Sequence, residues 1–193
     1  MDGNSYLQNL KIPYLSKGIV ETNNAGGLFA MPINEPTLHL LCGKIAAGKS
    51  TLAKALASFP RTLLISEDQW LSRLYPDEMA TVSDYVRCSA RLRATMGPHI
   101  GALLQAGVSV VLDFPANTLA NRAWMRSIFD AAGTAHLLHY LDVPDDVCKA
   151  RLRARNASGE HAFAATDEQF DFITSHFIAP KPEEGFNIVV HRS

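Results

Sequence analysis

The chain has 193 residues, of which 47% are hydrophobic and 19% are charged, a composition typical of a folded domain and not of a disordered chain. The length suits one domain with a full core. The formal net charge of −1 provides no overall field that would attract nucleic acid or an anionic membrane, so we expect a small or locally bound partner.

Neither a leader peptide nor a membrane segment is indicated. The first 18 residues lack a basic start followed by an apolar block, and no apolar run reaches the ~18 residues of a membrane span. Cys42, Cys88 and Cys148 are far apart and odd in number, which favours reduced thiols. We therefore expect a cytoplasmic protein.

The predicted elements begin after an irregular start. Residues 1–36 contain Asn-Asn, Gly-Gly and three prolines without a sustained period, which predicts an N-terminal extension to a domain of residues 37–193. Five short apolar runs then predict strands buried on both faces of a parallel sheet, at residues 37–42, 61–66, 108–113, 135–143 and 186–191. Helical stretches alternate with them, at residues 49–59, 83–96, 99–107, 118–133, 144–156 and 166–177. This alternation indicates a three-layer α/β domain.

A glycine-rich loop lies between the first strand and the first helix. The sequence GKIAAGKS satisfies the pattern G-x-x-x-x-G-K-[ST]. Its two glycines permit backbone angles and close approach that a Cβ would forbid, so successive N–H groups turn inward beside the positive end of the helix and bind phosphate oxygens. The predicted nucleotide-binding residues are Gly43, Lys44, Ile45, Ala46, Ala47, Gly48, Lys49, Ser50 and Thr51.

Residues in and beyond this loop predict a metal ion and narrow the class of nucleotide-binding protein. Lys49 would supply a charge to the β- and γ-phosphates, and the Ser50 hydroxyl is placed to ligate Mg²⁺. Asp113, which ends the third strand, is a candidate for binding Mg²⁺ through water or for positioning substrate. The guanine-specific pattern N-K-x-D is absent, and so is the acidic pair of a motor ATPase. These residues therefore predict Mg²⁺ and disfavour both GTP and a motor ATPase.

A carboxylate follows the second strand, where ligands bind in open α/β sheets. Asp68, in ISEDQW, would face the γ-phosphate and take a proton from an attacking hydroxyl. Its neighbour Glu67 is the competing candidate, and a helix-capping role is the alternative for either. The sequence leaves the choice between them open.

Arginines follow the fourth strand. Arg151 and Arg155 are four residues apart and share one helix face, where they would neutralise charge on a moving phosphoryl group. A solvated basic helix end is the alternative. The polar stretch 156–169 after them predicts a mobile lid. Weaker candidates for substrate contacts are Glu67, Arg73, Arg87, Arg91, Asn117 and Arg122.

The order of GKIAAGKST, ISEDQW, VVLDFPANT and RLRARN resembles small P-loop kinases of the zeta-toxin, chloramphenicol phosphotransferase and polynucleotide-kinase type, and the AAA-labelled bacterial ATP-binding proteins grouped with them. The resemblance covers about residues 37–191. It implies strand order 2-3-1-4-5, ATP as phosphoryl donor and Asp68 as general base. It also implies that Arg151 and Arg155 are lid arginines and that Asp113 is the acid ending the third strand.

One departure from the family bears on the acceptor. Polynucleotide kinases carry an arginine three residues past the base, but that position here is Leu71, and the nearest arginine is Arg73. A nucleic-acid acceptor is therefore disfavoured. We expect a phosphotransferase that moves the γ-phosphoryl of ATP to a hydroxyl of a small-molecule acceptor. The alternatives are an ATP-binding switch or regulatory module and a toxin-like kinase of a nucleotide-sugar.

Overall fold

The computed structural model describes residues 19–20, 29–30, 35–158 and 165–192. Its strands are β1 (Ile19–Val20), β2 (Phe29–Ala30), β3 (Thr37–Cys42), β4 (Thr62–Ser66), β5 (Ser109–Pro115), β6 (Ala135–Asp142) and β7 (Ile188–Arg192). Its α-helices are α1 (Lys49–Leu56), α2 (Glu67–Leu74), α3 (Val82–Gln105), α4 (Leu119–Ala132), α5 (Asp145–Ser158) and α6 (Asp167–Thr174). A short 3₁₀ helix covers Pro182–Glu184.

Five strands form one parallel sheet in the order β4-β5-β3-β6-β7. Numbered by their sequence within the sheet, this order is 2-3-1-4-5, which confirms the predicted fold class. The carboxyl ends of parallel strands share one edge, so the loop after β3, the start of α2 and the segment after β5 meet there. The register of β4 against β5 pairs Ser66 with Asp113 and brings the two predicted acidic positions to this edge.

Helices cover both faces of the sheet because the central strand is apolar on both sides. All of β3 is buried, and its side chains alternate between two cores. Leu38 and Leu40 pack in one core with α3 and α4, whereas Leu41 packs in the other with α1 and α5. This sandwich is the physical reason that the strand reads as a continuous apolar run.

Helix α3 corrects one predicted boundary. Two helices were expected on either side of Gly97 and Pro98, but the chain forms a single 24-residue helix with Pro98 inside it. Met96, Ile100 and Leu104, from both halves, are buried in one core. Their packing outweighs the backbone hydrogen bond that proline removes.

The predicted N-terminal extension falls mostly outside the described residues. Within it, β1 and β2 pair antiparallel, with Ile19 opposite Ala30, and the domain boundary at residue 37 stays a prediction. Residues 159–164, which belong to the predicted lid, also lie outside the described residues. Among the helices that are described, none is long and apolar enough to cross a membrane.

A row of three histidines crosses neighbouring strands. His39 Nδ1 lies 3.1 Å from His139 Nε2, and His139 Nδ1 lies 3.0 Å from His191 Nε2. Burial lowers the pKa of His39 to about 4 and also lowers the pKa of the other two. Because neutral imidazoles each carry one donor and one acceptor, the row satisfies its own hydrogen bonds without charge.

Candidate active site

The phosphate-loop sequence forms the turn between β3 and α1. Gly48 is the N-cap of α1 with φ of 106°, in the left-handed region that glycine adopts without strain, and offers no capping side chain. The first turn of α1 also contains no acid. The N–H groups and positive end of α1 therefore face the loop without a side-chain counter-charge, an arrangement suited to an anion.

Gly43 is held closely at the other end of the loop. A Cβ there would lie 3.1 Å from Leu141 Cβ and 3.2 Å from Leu141 O, so the backbone passes too close for a side chain. The Gly43 N–H donates to Asn117 Oδ1 at 3.0 Å. The Asn117 carbonyl in turn accepts from the Ile178 N–H at 2.9 Å. Asn117 therefore connects the loop to the chain after α6.

The two lysines of the loop point to different partners. Lys49 Nζ donates to the carbonyls of Gly43 and Lys44, at 2.8 Å each, which keeps its ammonium at the loop. Burial lowers the pKa of Lys49, and the nearby carboxylates of Asp113 and Asp68 oppose that change. Lys44 Nζ pairs instead with Asp145 at the start of α5. Lys49 is thus the loop lysine that faces the two acids.

Ser50 and Asp113 provide oxygen atoms beside Lys49. Burial raises the pKa of Asp113, while a hydrogen bond with Ser50 and the charge of Lys49 act in the opposite direction. Hydroxyl and carboxylate oxygens are the ligands that Mg²⁺ prefers, usually together with phosphate oxygens and water. The paired Ser50 and Asp113 therefore fit the predicted magnesium site.

The structure separates the two candidate bases. Glu67, the first residue of α2, is 1% exposed, and its carboxylate accepts from Arg93 Nε at 3.0 Å and from the Tyr85 hydroxyl at 3.1 Å. Asp68 is exposed and close enough to Lys49 and Asp113 to affect the pKa of both. Asp68 therefore lies on the side of Lys49 and Asp113, whereas Glu67 faces the interior.

One of the two predicted phosphate-side arginines contacts the loop. Arg151 Nη1 donates to the Ala47 carbonyl at 3.3 Å. Arg155 lies one turn further along α5 and is half-buried. Arg153, between them, pairs with Asp167 at the start of α6. The helix face predicted from the spacing of Arg151 and Arg155 therefore includes one residue, Arg151, that contacts the loop.

Arg122 is not in a position to meet a substrate, which corrects its prediction as a substrate residue. Its side chain is fully buried. Nε and Nη2 donate to Glu184 at 2.6 and 2.9 Å, and Nη1 donates to the carbonyls of Ala116 and Ile178. Arg122 instead fixes the C-terminal segment to the end of β5.

A cavity of about 590 Å³ opens beside the phosphate loop. Lys44 and Ile45 form its loop side, and the rest comes from α3, the end of β5, the start of α4 and the end of α6. Of the weaker predicted substrate residues, Asn117 lines it, whereas Arg73, Arg87 and Arg91 are exposed elsewhere and do not. Sequence reasoning missed several lining residues, among them Ser89, Arg93, Asn121, Trp124 and Thr174.

A spacing signal could have found part of this wall. Tyr85, Ser89 and Arg93 are four residues apart along α3, so they share one helix face. The lining residues from the end of β5 and from α6 are distant from α3 in the sequence, and their spacing shows no comparable helical pattern. Only the fold brings them beside the loop.

Solved structures share this fold. They include a Chloroflexus aurantiacus protein described as a "putative kinase" (22% identity over 82% of this chain and 88% of that chain, TM-score 0.66). A sugar kinase from Janibacter sp. HTCC2649 has 18% identity over 81% and 85%, with a TM-score of 0.55. The Mycobacterium tuberculosis APS kinase CysC in complex with AMPPNP and APS has 20% identity over 76% and 84%, with a TM-score of 0.51. At these identities, the likeness shows a common fold.

Sequence comparison supplies the family. No curated protein matches the chain, but the family model AAA_33, described as "AAA domain", matches residues 38–180. That range is most of the chain and contains the phosphate loop, both candidate bases, Asp113 and Arg151. The chain belongs to this AAA-domain family and is a P-loop kinase-like protein.

Proposed function

We propose that the protein is an ATP-dependent phosphotransferase that moves the γ-phosphoryl group of ATP to a hydroxyl of a small-molecule acceptor. The observation that carries this proposal is the position of Asp68. An exposed carboxylate lies within electrostatic reach of the loop lysine Lys49, and a cavity adjoins the same loop. A module that only bound nucleotide would need neither the carboxylate nor the cavity.

Each residue has a defined task in this mechanism. The loop N–H groups and Lys49 would bind the phosphates, and Arg151, which contacts the Ala47 carbonyl, would add positive charge at the loop. Asp68 accepts the proton of the acceptor hydroxyl. Ser50 and Asp113 would hold Mg²⁺, which neutralises phosphate charge when bound.

The test is acceptor-stimulated turnover. ADP formation from Mg²⁺-ATP is measured with and without hydroxyl-bearing metabolites and antibiotics, and mass spectrometry identifies the phosphorylated product. We expect at least one acceptor to raise turnover in the native chain and not in Lys49→Ala. Lys181→Ala, which removes an exposed lysine far along the chain, is the matched control.

The alternatives have distinct outcomes. ATP binding without transfer to any acceptor would favour the switch or regulatory module. Transfer only to a nucleotide-sugar would favour the toxin-like kinase. Transfer to a nucleic-acid 5′-hydroxyl would contradict the expectation that nucleic acid is not the acceptor.

A further inference from the structure

The charged side chains that line the cavity are already paired. Arg93 Nε and Nη2 lie 3.0 and 2.9 Å from Glu67 Oε1, and the Glu67 side chain is 2% exposed. Lys44 pairs with Asp145. Among the described residues that line the cavity, no acid is present. The remaining basic side chain of the lining is His176, whose Nδ1 lies 2.9 Å from the Phe172 carbonyl oxygen. A phosphate, carboxylate or ammonium group entering this space would therefore lose water without gaining an unpaired carboxylate, ammonium or guanidinium partner.

Most polar groups of the lining are also committed to the protein. Asn121 accepts from Arg93 at 2.8 Å and donates to the Pro115 carbonyl at 2.8 Å. Ser89 donates to the Tyr85 carbonyl at 2.8 Å. Thr174 differs, because its Oγ1 is buried and has no hydrogen-bond partner among the described residues. Because Thr174 lines the cavity, a rotation about its Cα–Cβ bond would bring this uncommitted hydroxyl, which is neutral and can donate or accept, to a ligand there.

The remaining wall is apolar and incompletely covered. Val86 on α3 is 60% exposed and Ile173 on α6 is 41% exposed, although both line the cavity. Ile45, Trp124 and Phe177 extend this surface. Large apolar side chains that are exposed around a concave site mark a place where a ligand can cover them.

The cavity also lies near the start of α2, which carries the candidate base. Its lining residues Tyr85 and Arg93 both hydrogen-bond to Glu67, the immediate neighbour of Asp68. Lys44 and Ile45 connect the same space to the phosphate loop. A molecule in the cavity would therefore lie beside the loop and near the start of α2.

We propose that this cavity is the acceptor site and that it selects an uncharged, largely apolar alcohol over acceptors bearing phosphate, carboxylate or ammonium groups. The proposal rests on the phosphotransferase function above. The acceptor oxygen bonds to the γ-phosphorus, the bond from that phosphorus to the bridging oxygen breaks, and ADP leaves with the electron pair. The hydroxyl proton passes to Asp68. Thr174 hydrogen-bonds a neutral polar group of the acceptor.

The first test measures binding without catalysis. In a Trp70→Phe background, Trp124 is the remaining tryptophan of the chain. It lines this cavity and a second one between α3 and α4, so its fluorescence reports binding, and the substitutions below show which cavity is occupied. The probes are 1-adamantanemethanol, 1-adamantanecarboxylate and 1-adamantylmethyl phosphate, which share one apolar body. We expect the alcohol to change Trp124 emission and the charged probes to bind at least about tenfold more weakly. Equal or tighter binding of a charged probe, or no binding of the alcohol, would overturn the proposal.

The second test removes the uncommitted hydroxyl. Thr174→Val should weaken binding of 1-adamantanemethanol by about three- to tenfold, the usual effect of one neutral hydrogen bond. Thr134→Val is the matched control, because Thr134 Oγ1 is also buried without a partner among the described residues but precedes β6, at the opposite edge of the sheet. An equal effect of the two substitutions would show that Thr174 does not contact the ligand.

The third test adds charge to the apolar wall. Val86→Asp should weaken binding of the alcohol and favour 1-adamantanemethylamine, whereas Val190→Asp, at a comparably exposed valine of β7, should do neither. Unchanged alcohol binding in Val86→Asp would place the ligand elsewhere.

Transfer assays separate this proposal from the function on which it rests. Binding of the alcohol without transfer from ATP to any acceptor would contradict the proposed phosphotransferase function and still support the proposed selectivity of the cavity. Transfer restricted to charged acceptors would support the phosphotransferase function and contradict the proposed selectivity for uncharged alcohols. A loss of ATP affinity in Val86→Asp would instead make the cavity part of the nucleotide site.

Discussion

Glu67 and Asp68 are neighbours in the chain, yet the Glu67 carboxylate is buried against Arg93 whereas Asp68 is exposed near Lys49. Successive side chains of a helix are about 100° apart, so both cannot face the same ligand. Glu67 is the first residue of α2, and its side chain is the one that turns inward. We therefore expect neutralising Asp68 to lower activity and neutralising Glu67 to lower stability.

We expect Asp68→Asn to lower acceptor phosphorylation by about 10²–10⁴-fold, because the substitution removes the base while keeping its shape. The affinity for ATP should change by no more than a few fold, since the loop backbone and Lys49 hold the phosphates. Initial rates and ATP titrations of the same preparations measure the two effects. Undiminished transfer in Asp68→Asn would exclude this residue as the base.

Glu67→Gln should act mainly on stability. The substitution leaves Arg93 with a neutral partner in a mostly buried site, at a cost of about 2 kcal/mol, below the ~3–5 kcal/mol for fully buried pairs. Denaturant unfolding measures this difference. Transfer should fall by less than about tenfold if Glu67 takes no proton. A catalytic defect larger than that of Asp68→Asn would reverse the assignment.

Mg²⁺-ATP should stabilise the native chain. A ligand at about 100 times its Kd adds about 2.7 kcal/mol to the free energy of unfolding, which is visible as a higher midpoint in thermal unfolding. Lys49→Ala should lose most of this increase, and Lys181→Ala should retain it. An unchanged midpoint for the native chain in saturating Mg²⁺-ATP would contradict nucleotide binding.

Arg122→Ala should destabilise the protein by about 3–5 kcal/mol, because it leaves Glu184 and two carbonyls without their buried donor. Arg192→Ala is the control, since Arg192 is 77% exposed and its Nε lies 3.5 Å from Asp142; exposed pairs of this kind contribute little. Chemical denaturation compares the two variants. A mild effect of Arg122→Ala would mean that the C-terminal segment packs without this clamp.

The histidine row predicts a loss of stability in mild acid. The pKa of His39 is about 4 in the folded protein against 6.5 for the free side chain, so the unfolded chain binds the extra proton first as pH falls. The contribution of His39 is present above pH 6.5 and is lost toward pH 4, by about 3 kcal/mol in total. Unfolding free energies at pH 7, 6 and 5 should decrease in that order. His39→Leu should reduce the slope, and an unchanged slope would assign the effect to other groups.

The sequence predicted the five strands of the parallel sheet and most of the helices because these elements carried their own signals, whereas α2 and the pair β1–β2 were not among the predicted elements. Apolar runs predicted five strands, and the phosphate-loop pattern located the turn from β3 to α1. Strand order required the family resemblance, since periodicity contains no information on which strands are neighbours. The predicted break in α3 failed because Gly97 and Pro98 are local signals, whereas the packing of Ile100 and Leu104 that overrides them comes from the fold.

The site was less predictable where it depends on side-chain direction. Nothing in the pair Glu67 and Asp68 shows which acid turns inward until Arg93, 26 residues away, supplies the partner. Arg122 looked suited to substrate because it follows Asp113 closely. Its partner Glu184 is 62 residues further along the chain, beyond the reach of any local pattern.

Asn117 connects the phosphate loop to the cavity, which would couple the two proposed binding sites. Its side-chain oxygen accepts from the Gly43 N–H and its backbone carbonyl accepts from the Ile178 N–H. The residue also lines the cavity. A molecule that tightens this junction from the cavity side also restricts the phosphate loop, so its binding and that of ATP would be cooperative. Reciprocity then requires ATP to strengthen acceptor binding by the same factor. Whichever substrate arrives first would thereby prepare the protein for the second.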